Sequence, residues 1–184
     1  MQKIKAIETI YNGYRFRSRS EARWAVFFDA CGIEYQYEPE GFVLSDGTMY
    51  LPDFYLPESK TFVEIKGVMS DTDMHKIEQL QKDLKCNVVI GYSDMTFQAS
   101  SQWEEGFEIS PKGDSYFVKC RDCGKYYFIG EYGSYRCICC GYYDGNATFE
   151  HILYGDFWNY KYNSFIPLTK AKQARFEHGE NGII

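Results

Sequence analysis

The sequence predicts an α/β fold, a mixed sheet flanked by helices with a small cysteine-stapled module behind it. Three observations lead there: segments of helical and strand periodicity in the order helix, three strands, helix, strand; turn residues between them; and paired cysteines confined to residues 120–140.

The first helix starts at Arg17-Ser18-Arg19-Ser20-Glu21 and runs through Ala22 to Cys31. Ser18 and Glu21 have capping-box spacing, and Gly32 supplies the stop. Ile33–Glu38, Met49–Leu56 and Thr61–Lys66 read as strands, separated by the turn signals Asp46-Gly47 and Pro57-Glu58-Ser59-Lys60. Asp71–Lys85 reads as a second helix, polar on one side, and Asn87–Gly91 as a short buried strand. From about Pro111 cysteines, glycines and tyrosines dominate, and a last helix spans Thr169–His178 with Gly179 closing it. Residues 1–112 are therefore expected to form the core, 113–150 the cysteine module and 151–184 an extension.

At 184 residues, 45% of them hydrophobic and 18% aromatic, the chain fits one domain with a small appendage and does not read as disordered. It shows neither an apolar run of membrane-spanning length nor a signal-peptide start, so a cytoplasmic protein is expected. Seven cysteines in such a compartment point to metal or free thiols before disulfides. The net charge of −6 is uneven: residues 1–25 hold six Lys/Arg against two acids, a local +4 that leaves −10 for the rest. Such a basic end can bind phosphate on an acidic protein, because counterion release depends on local contacts. Arg15, Arg17, Arg19 and Arg23 are the candidates for contact with a DNA backbone.

In Thr61–Lys66, period two sends Glu64 and Lys66 to one face and Val63 and Ile65 to the other. A hairpin centred on Glu58-Ser59 gives cross-strand partners whose numbers sum to 117, which sets Asp53 opposite Glu64. Two facing carboxylates repel unless a cation neutralises them, and hard oxygen ligands suit Mg²⁺. Glu21 shares a helix face with Trp24, Ala25 and Phe28, where a carboxylate is costly unless paired; on its own it reads as a cap. Lys66 beside the acids can orient a water and offset phosphate charge. Glu38 and Glu40 lie near the same sheet edge and rank below these four; His75 has no evident partner.

Pro52-Asp53 followed by Glu64-Ile65-Lys66 resembles the PD-(D/E)XK nuclease superfamily, and within it the phage endonuclease I type that resolves branched DNA. Arg17-Ser18 with Glu21, Gly32 to Glu38, Leu51 to Pro57 and Phe62 to Gly67 carry the likeness, which covers residues 14–92. It implies a restriction-endonuclease-like αβββαβ core and Mg²⁺-dependent (or Mn²⁺-dependent) cleavage of branched DNA. Asp53 and Glu64 would be metal ligands, Glu21 a further ligand or a water-binding acid, Lys66 would position water, Arg17 would meet a phosphate, and the chain would work as a homodimer in a bacterial or phage-infected cell. The cysteine-rich end is not part of that type.

Cys120-Arg121-Asp122-Cys123-Gly124 and Cys137-Ile138-Cys139-Cys140-Gly141 are two CxxCG knuckles, 13 residues apart. Paired in this way they resemble a zinc ribbon, with Cys120, Cys123, Cys137 and Cys140 as a closed structural Zn²⁺ site. Tyr126, Tyr127, Phe128, Tyr132 and Tyr135 around it read mainly as the module's own core, with base stacking as the alternative. Lys119, Arg121, Lys125 and Arg136, with Lys170, Lys172 and Arg175, leave contact with DNA or a protein partner open.

Overall fold

A computed structural model describes residues 7–103, 106–131, 133–157 and 165–176. The chain opens with a hairpin, β1 (Thr9–Tyr11) and β2 (Tyr14–Phe16), then α1 (Arg19–Cys31). Ser18 caps α1, its hydroxyl accepting from the Glu21 N–H. At the other end Gly32 takes φ 68, and the N–H groups of Gly32 and Ile33 return to the Asp29 and Phe28 carbonyls. This double closure uses up the residues where a strand was expected to begin.

β3 is therefore only Gln36–Tyr37, and Glu38, with φ 46 ahead of Pro39, ends it. The expected single strand Met49–Leu56 is also divided. β4 (Phe42–Val43) and β5 (Met49–Tyr50) form a separate small hairpin, and β6 (Phe54–Leu56) joins the main sheet. Pro52 lies at the break, where it has no N–H to give a ladder. β7 (Thr61–Lys66), α2 (Asp71–Leu84, capped by Ser70) and β8 (Asn87–Tyr92) follow as expected. β9 (Phe97–Trp103) and β10 (Gly106–Ile109) then extend the sheet beyond the expected elements.

The main sheet runs β10-β9-β8-β7-β6-β3. The β7–β8 pair is parallel and the other pairs antiparallel, so the protein is mixed α/β with a mixed sheet. β6 and β7 pair as Phe54↔Val63, Tyr55↔Phe62 and Leu56↔Thr61, the register that sums to 117. Val63, Ile65 and Val89 meet α1, whereas Val88 and Ile90 belong to a second core with Ile77 and Leu80 of α2.

After a 3-10 turn at Lys112–Asp114, β11 (Ser115–Cys120), β12 (Tyr126–Gly130) and β13 (Phe149–Tyr154) make a three-stranded sheet. This sheet does not stand apart. Phe117, Phe128 and Leu153 enter the same core as Trp24 and Phe27, while Val118, Tyr127, Ile129 and Phe149 face the cysteines. β13 crosses the boundary expected at residue 150. Period two thus gives one sheet two jobs, sealing the main core and roofing the cysteine cluster. The last helix, α3, is Ile166–Gln173; it starts earlier than expected because Pro167 is tolerated in a first turn. His178 and Gly179 lie outside the described residues.

Candidate active site and metal centre

The first turns of α1 and α2 meet at the C-terminal end of β7 around a cleft of about 360 Å³. Arg17, Glu21, Tyr50, Asp53, Glu64, Lys66 and Asp73 are among its lining residues, so the four residues singled out from sequence share one site. Each acid is buried: Glu21 at 6%, Asp53 at 4% and Glu64 at 5% exposure.

Every carboxylate is held separately. Asp53 Oδ2 accepts from the Ile65 N–H at 2.7 Å, and Arg17 Nη2 sits 2.7 Å from Oδ1. Glu64 accepts from the Tyr50 hydroxyl at 2.6 Å and pairs with Lys66 Nζ at 2.7 Å. Lys66 reaches on to Asp73 at 3.2 Å. Glu21 accepts from the Ser18 and Tyr37 hydroxyls, both at 2.7 Å, and from the Arg17 N–H at 3.0 Å. Of the expected capping box the Ser18 half forms, its hydroxyl accepting from the Glu21 N–H, while the Glu21 carboxylate takes the Arg17 N–H and is a wall of the cleft as well.

Burial, then the nearby Glu64 charge, pushes the Asp53 carboxyl up to about 8, against the relief of the Ile65 N–H and Arg17. Burial opposes the charge on Lys66, but Glu64 and Asp73 outweigh it and raise its pKa. Desolvation and the Glu64 carboxylate hold the Tyr50 hydroxyl well above its ordinary value, so it stays a donor.

Tyr37, Tyr50 and Asp73 were not singled out from sequence. Asp73 had a signal, the Ser70-x-x-Asp73 capping box, which the structure contains in full. Tyr50 had none, because only the fold lays the β4–β5 hairpin over β7. Glu38 pairs with Arg17 at 2.7 Å; it serves the arginine. His75, expected without a partner, contacts Asp46 at 2.9 Å and ties the β4–β5 turn to α2. Of the four arginines, only Arg17 lines the cleft. Arg15 pairs with Glu8 at 3.7 Å, and Arg19 and Arg23 are half-buried on α1.

The cysteines are gathered more tightly than the acids. The sulfurs of Cys120, Cys123, Cys137 and Cys140 all lie within 4.8 Å of one another, and among the described residues no other such group of three or more His, Cys, Asp or Glu occurs. Each knuckle repeats one turn. The N–H groups of Cys120 and Cys137 donate to Lys125 and Tyr142, five residues on, and Gly124 and Gly141 at φ 70 and 78 donate back to Cys120 and Cys137. The 120–140 and 123–137 sulfur pairs are 3.9 Å apart. A tetrahedral thiolate site with Zn–S near 2.3 Å needs about 3.8 Å. The four thiols can therefore hold a metal ion such as zinc, with no open position for chemistry. Cys139 stays outside this set, its thiol pushed up to about 12 by burial. Tyr127 and Phe128 are buried, and Tyr126 stacks on Phe117 at 5.3 Å, as expected of core aromatics. Tyr132 lies outside the described residues.

Among the described residues, no helix is long and apolar enough to cross a membrane. No protein-family model matches the chain, and no curated protein matches its sequence. Fold and site together define a mixed α/β protein with a cleft of buried acids and a cluster of four cysteines that could hold a metal ion.

Proposed function

We propose that this protein is a Mg²⁺-dependent or Mn²⁺-dependent DNA endonuclease of the PD-(D/E)XK type, acting on branched DNA. One observation carries the reading: Glu21 of α1, Asp53 ahead of β6, and Glu64 and Lys66 of β7 line one cleft. The donor set fits a hard cation. Asp53 and Glu64 offer carboxylate oxygens, and the elevated Asp53 pKa reflects a charge that burial leaves short of compensation.

A divalent cation held by Asp53 and Glu64 would supply Lewis acidity at a phosphoryl oxygen and make nearby water more acidic. The chain's own residues do the rest. Lys66, charged between Glu64 and Asp73, would offset the developing phosphate charge and orient the attacking water rather than take its proton. Tyr50 and Tyr37 fix the rotamers of Glu64 and Glu21. Arg17 would meet the backbone, and two helix N-termini favour an anion in the cleft. The ribbon-like module would steady α1 and leave its outer face for DNA or a protein partner.

A second reading, a DNA-binding protein that does not cleave, has one observation in its favour. Each acid already has a partner of its own, as in a purely structural network. Linear, nicked and four-way-junction DNA, incubated with Mg²⁺ or EDTA, separates the two. The nuclease reading expects Mg²⁺-dependent cuts that Asp53→Ala and Lys66→Ala each reduce by about 100-fold or more. Cleavage unaffected by either substitution would sink the site. No cleavage of any substrate would favour the binding protein.

A further inference from the structure

The two oxygens of Asp53 are not equivalent. Oδ2 accepts from the Ile65 N–H inside the sheet, which leaves Oδ1 the more available oxygen for a cation in the cleft. That oxygen already has a positive group 2.7 Å away, the Arg17 guanidinium. Two positive charges sharing one carboxylate oxygen would stand within roughly 5 Å of each other, where repulsion in a half-buried site outweighs an ordinary surface ion pair.

The arginine is free to yield. Its side chain is 55% exposed, against 6% for Asp53, so the acid is fixed and the base is the movable partner. It also has somewhere to stay. Nε contacts Glu38 at 2.7 Å, and Glu38 is held at that spot by a backbone with φ 46 whose N–H donates to the Asp53 carbonyl at 2.8 Å. A left-handed conformation at a glutamate costs of order 1 kcal/mol and persists where the surroundings impose it.

We infer that Arg17 is the resident counterion of this cluster, which a divalent cation must displace from Asp53 in order to bind. The inference rests on the cation site proposed above. Arg17 occupies Asp53 Oδ1 while the site holds no metal, at the expense of metal affinity. Once displaced, its planar fork remains tethered near Glu38 at the mouth of the cleft, in the geometry that suits a phosphate. The other cation on the cluster, Lys66, holds Glu64 in the same manner but is also anchored by Asp73, so it is the less movable of the two.

The test is calorimetric titration of Mn²⁺ into the full chain without DNA, for wild type, Arg17→Gln, Arg17→Lys and Asp53→Asn. Arg17→Gln is expected to bind Mn²⁺ about tenfold more tightly than wild type, because its competitor is gone. Arg17→Lys keeps the charge and should remain within about threefold of wild type. Thermal unfolding adds a readout independent of any activity: Mn²⁺ should raise the midpoint of Arg17→Gln more than that of wild type. Equal or weaker binding by Arg17→Gln, with binding still lost in Asp53→Asn, overturns the counterion role and leaves the cation site standing. If wild type binds no Mn²⁺ that Asp53→Asn removes, the cation site itself falls, and this inference with it.

Discussion

Gly91→Ala probes how the sheet sets the position of α1. Gly91 lies on β8 beside Ile65 of β7 and Phe97 of β9, beneath the indole of Trp24. A methyl at Gly91 would stand 2.7 Å and 2.9 Å from Cε2 and Cζ2 of Trp24, and 2.8 Å from Cδ1 of Ile65. Carbon atoms pack best at about 3.5–4.0 Å, so the ring must retreat by roughly 1 Å. It has little freedom to do so. Its Nε1 donates to the Tyr92 carbonyl at 3.1 Å, and Phe27 and Phe128 lie against it. Overpacking of this kind costs about 1–3 kcal/mol. For a chain of this size that lowers the melting temperature by roughly 3–10 °C. Trp24→Leu removes the indole and is itself destabilising, by about 2–4 kcal/mol. In its presence, however, Gly91→Ala should cost at least about 1 kcal/mol less than it does alone. Denaturant unfolding of the four proteins measures that coupling. An equal cost of Gly91→Ala in both backgrounds would refute the described seating of α1. Glu21 sits three residues before Trp24, one turn back on the same helix. If α1 shifts by about 1 Å, the cleavage proposed above should fall by about 100-fold in the folded Gly91→Ala protein.

Three other outcomes follow from the same geometry. The protein should bind one zinc per chain; stripping it, or replacing Cys123 by Ser, should speed amide exchange in residues 120–148 by at least about 100-fold. β7 and β8 should keep their protection, because the cysteines pack in a cluster of their own, apart from the core of α1, β7 and β8; uniform loss would argue that the two parts unfold as one. Asp53 provides a pH signature. Burial, then the Glu64 charge, raises its pKa in the folded chain to about 8 from the ordinary 3.8. The folded state then binds more protons across that window, so its stability falls as pH rises through it. Melting curves of wild type should therefore drop relative to Asp53→Asn between about pH 5 and pH 8, and Mg²⁺ should narrow the gap at the upper end; a gap independent of pH would contradict a protonated Asp53. Tyr50→Phe removes the 2.6 Å hydrogen bond that orients Glu64. It should cost about 1–3 kcal/mol in stability and weaken Mn²⁺ binding by about tenfold, as seen by calorimetry; unchanged affinity would mean that Glu64 is not a ligand.

Much of the site's frame is legible locally. The Ser18 and Ser70 caps, the alternation of Glu64 with Val63 and Ile65, the 117 register and the twin CxxCG turns are set by backbone chemistry within a few residues or across one tight hairpin. The lost strand segments were partly legible too: Gly32 and Pro52 each interrupt a ladder for reasons written in the residue itself. β9 and β10 were harder to see, since Gln98, Ser100, Ser101 and Gln102 dilute their apolar pattern.

The sequence by itself thus determined which residues bear charge, where helices begin, which face Glu64 and Lys66 share, and that four thiols come in two matched turns. Only the tertiary structure decided that Arg17 covers Asp53, that Tyr50 is folded over Glu64, and that the cysteine-bearing sheet shares a core with α1. The physical reason is range. Caps, periodicity and knuckles are satisfied within one turn or one hairpin, whereas the partner of a buried charge is chosen by whichever distant elements burial brings against it.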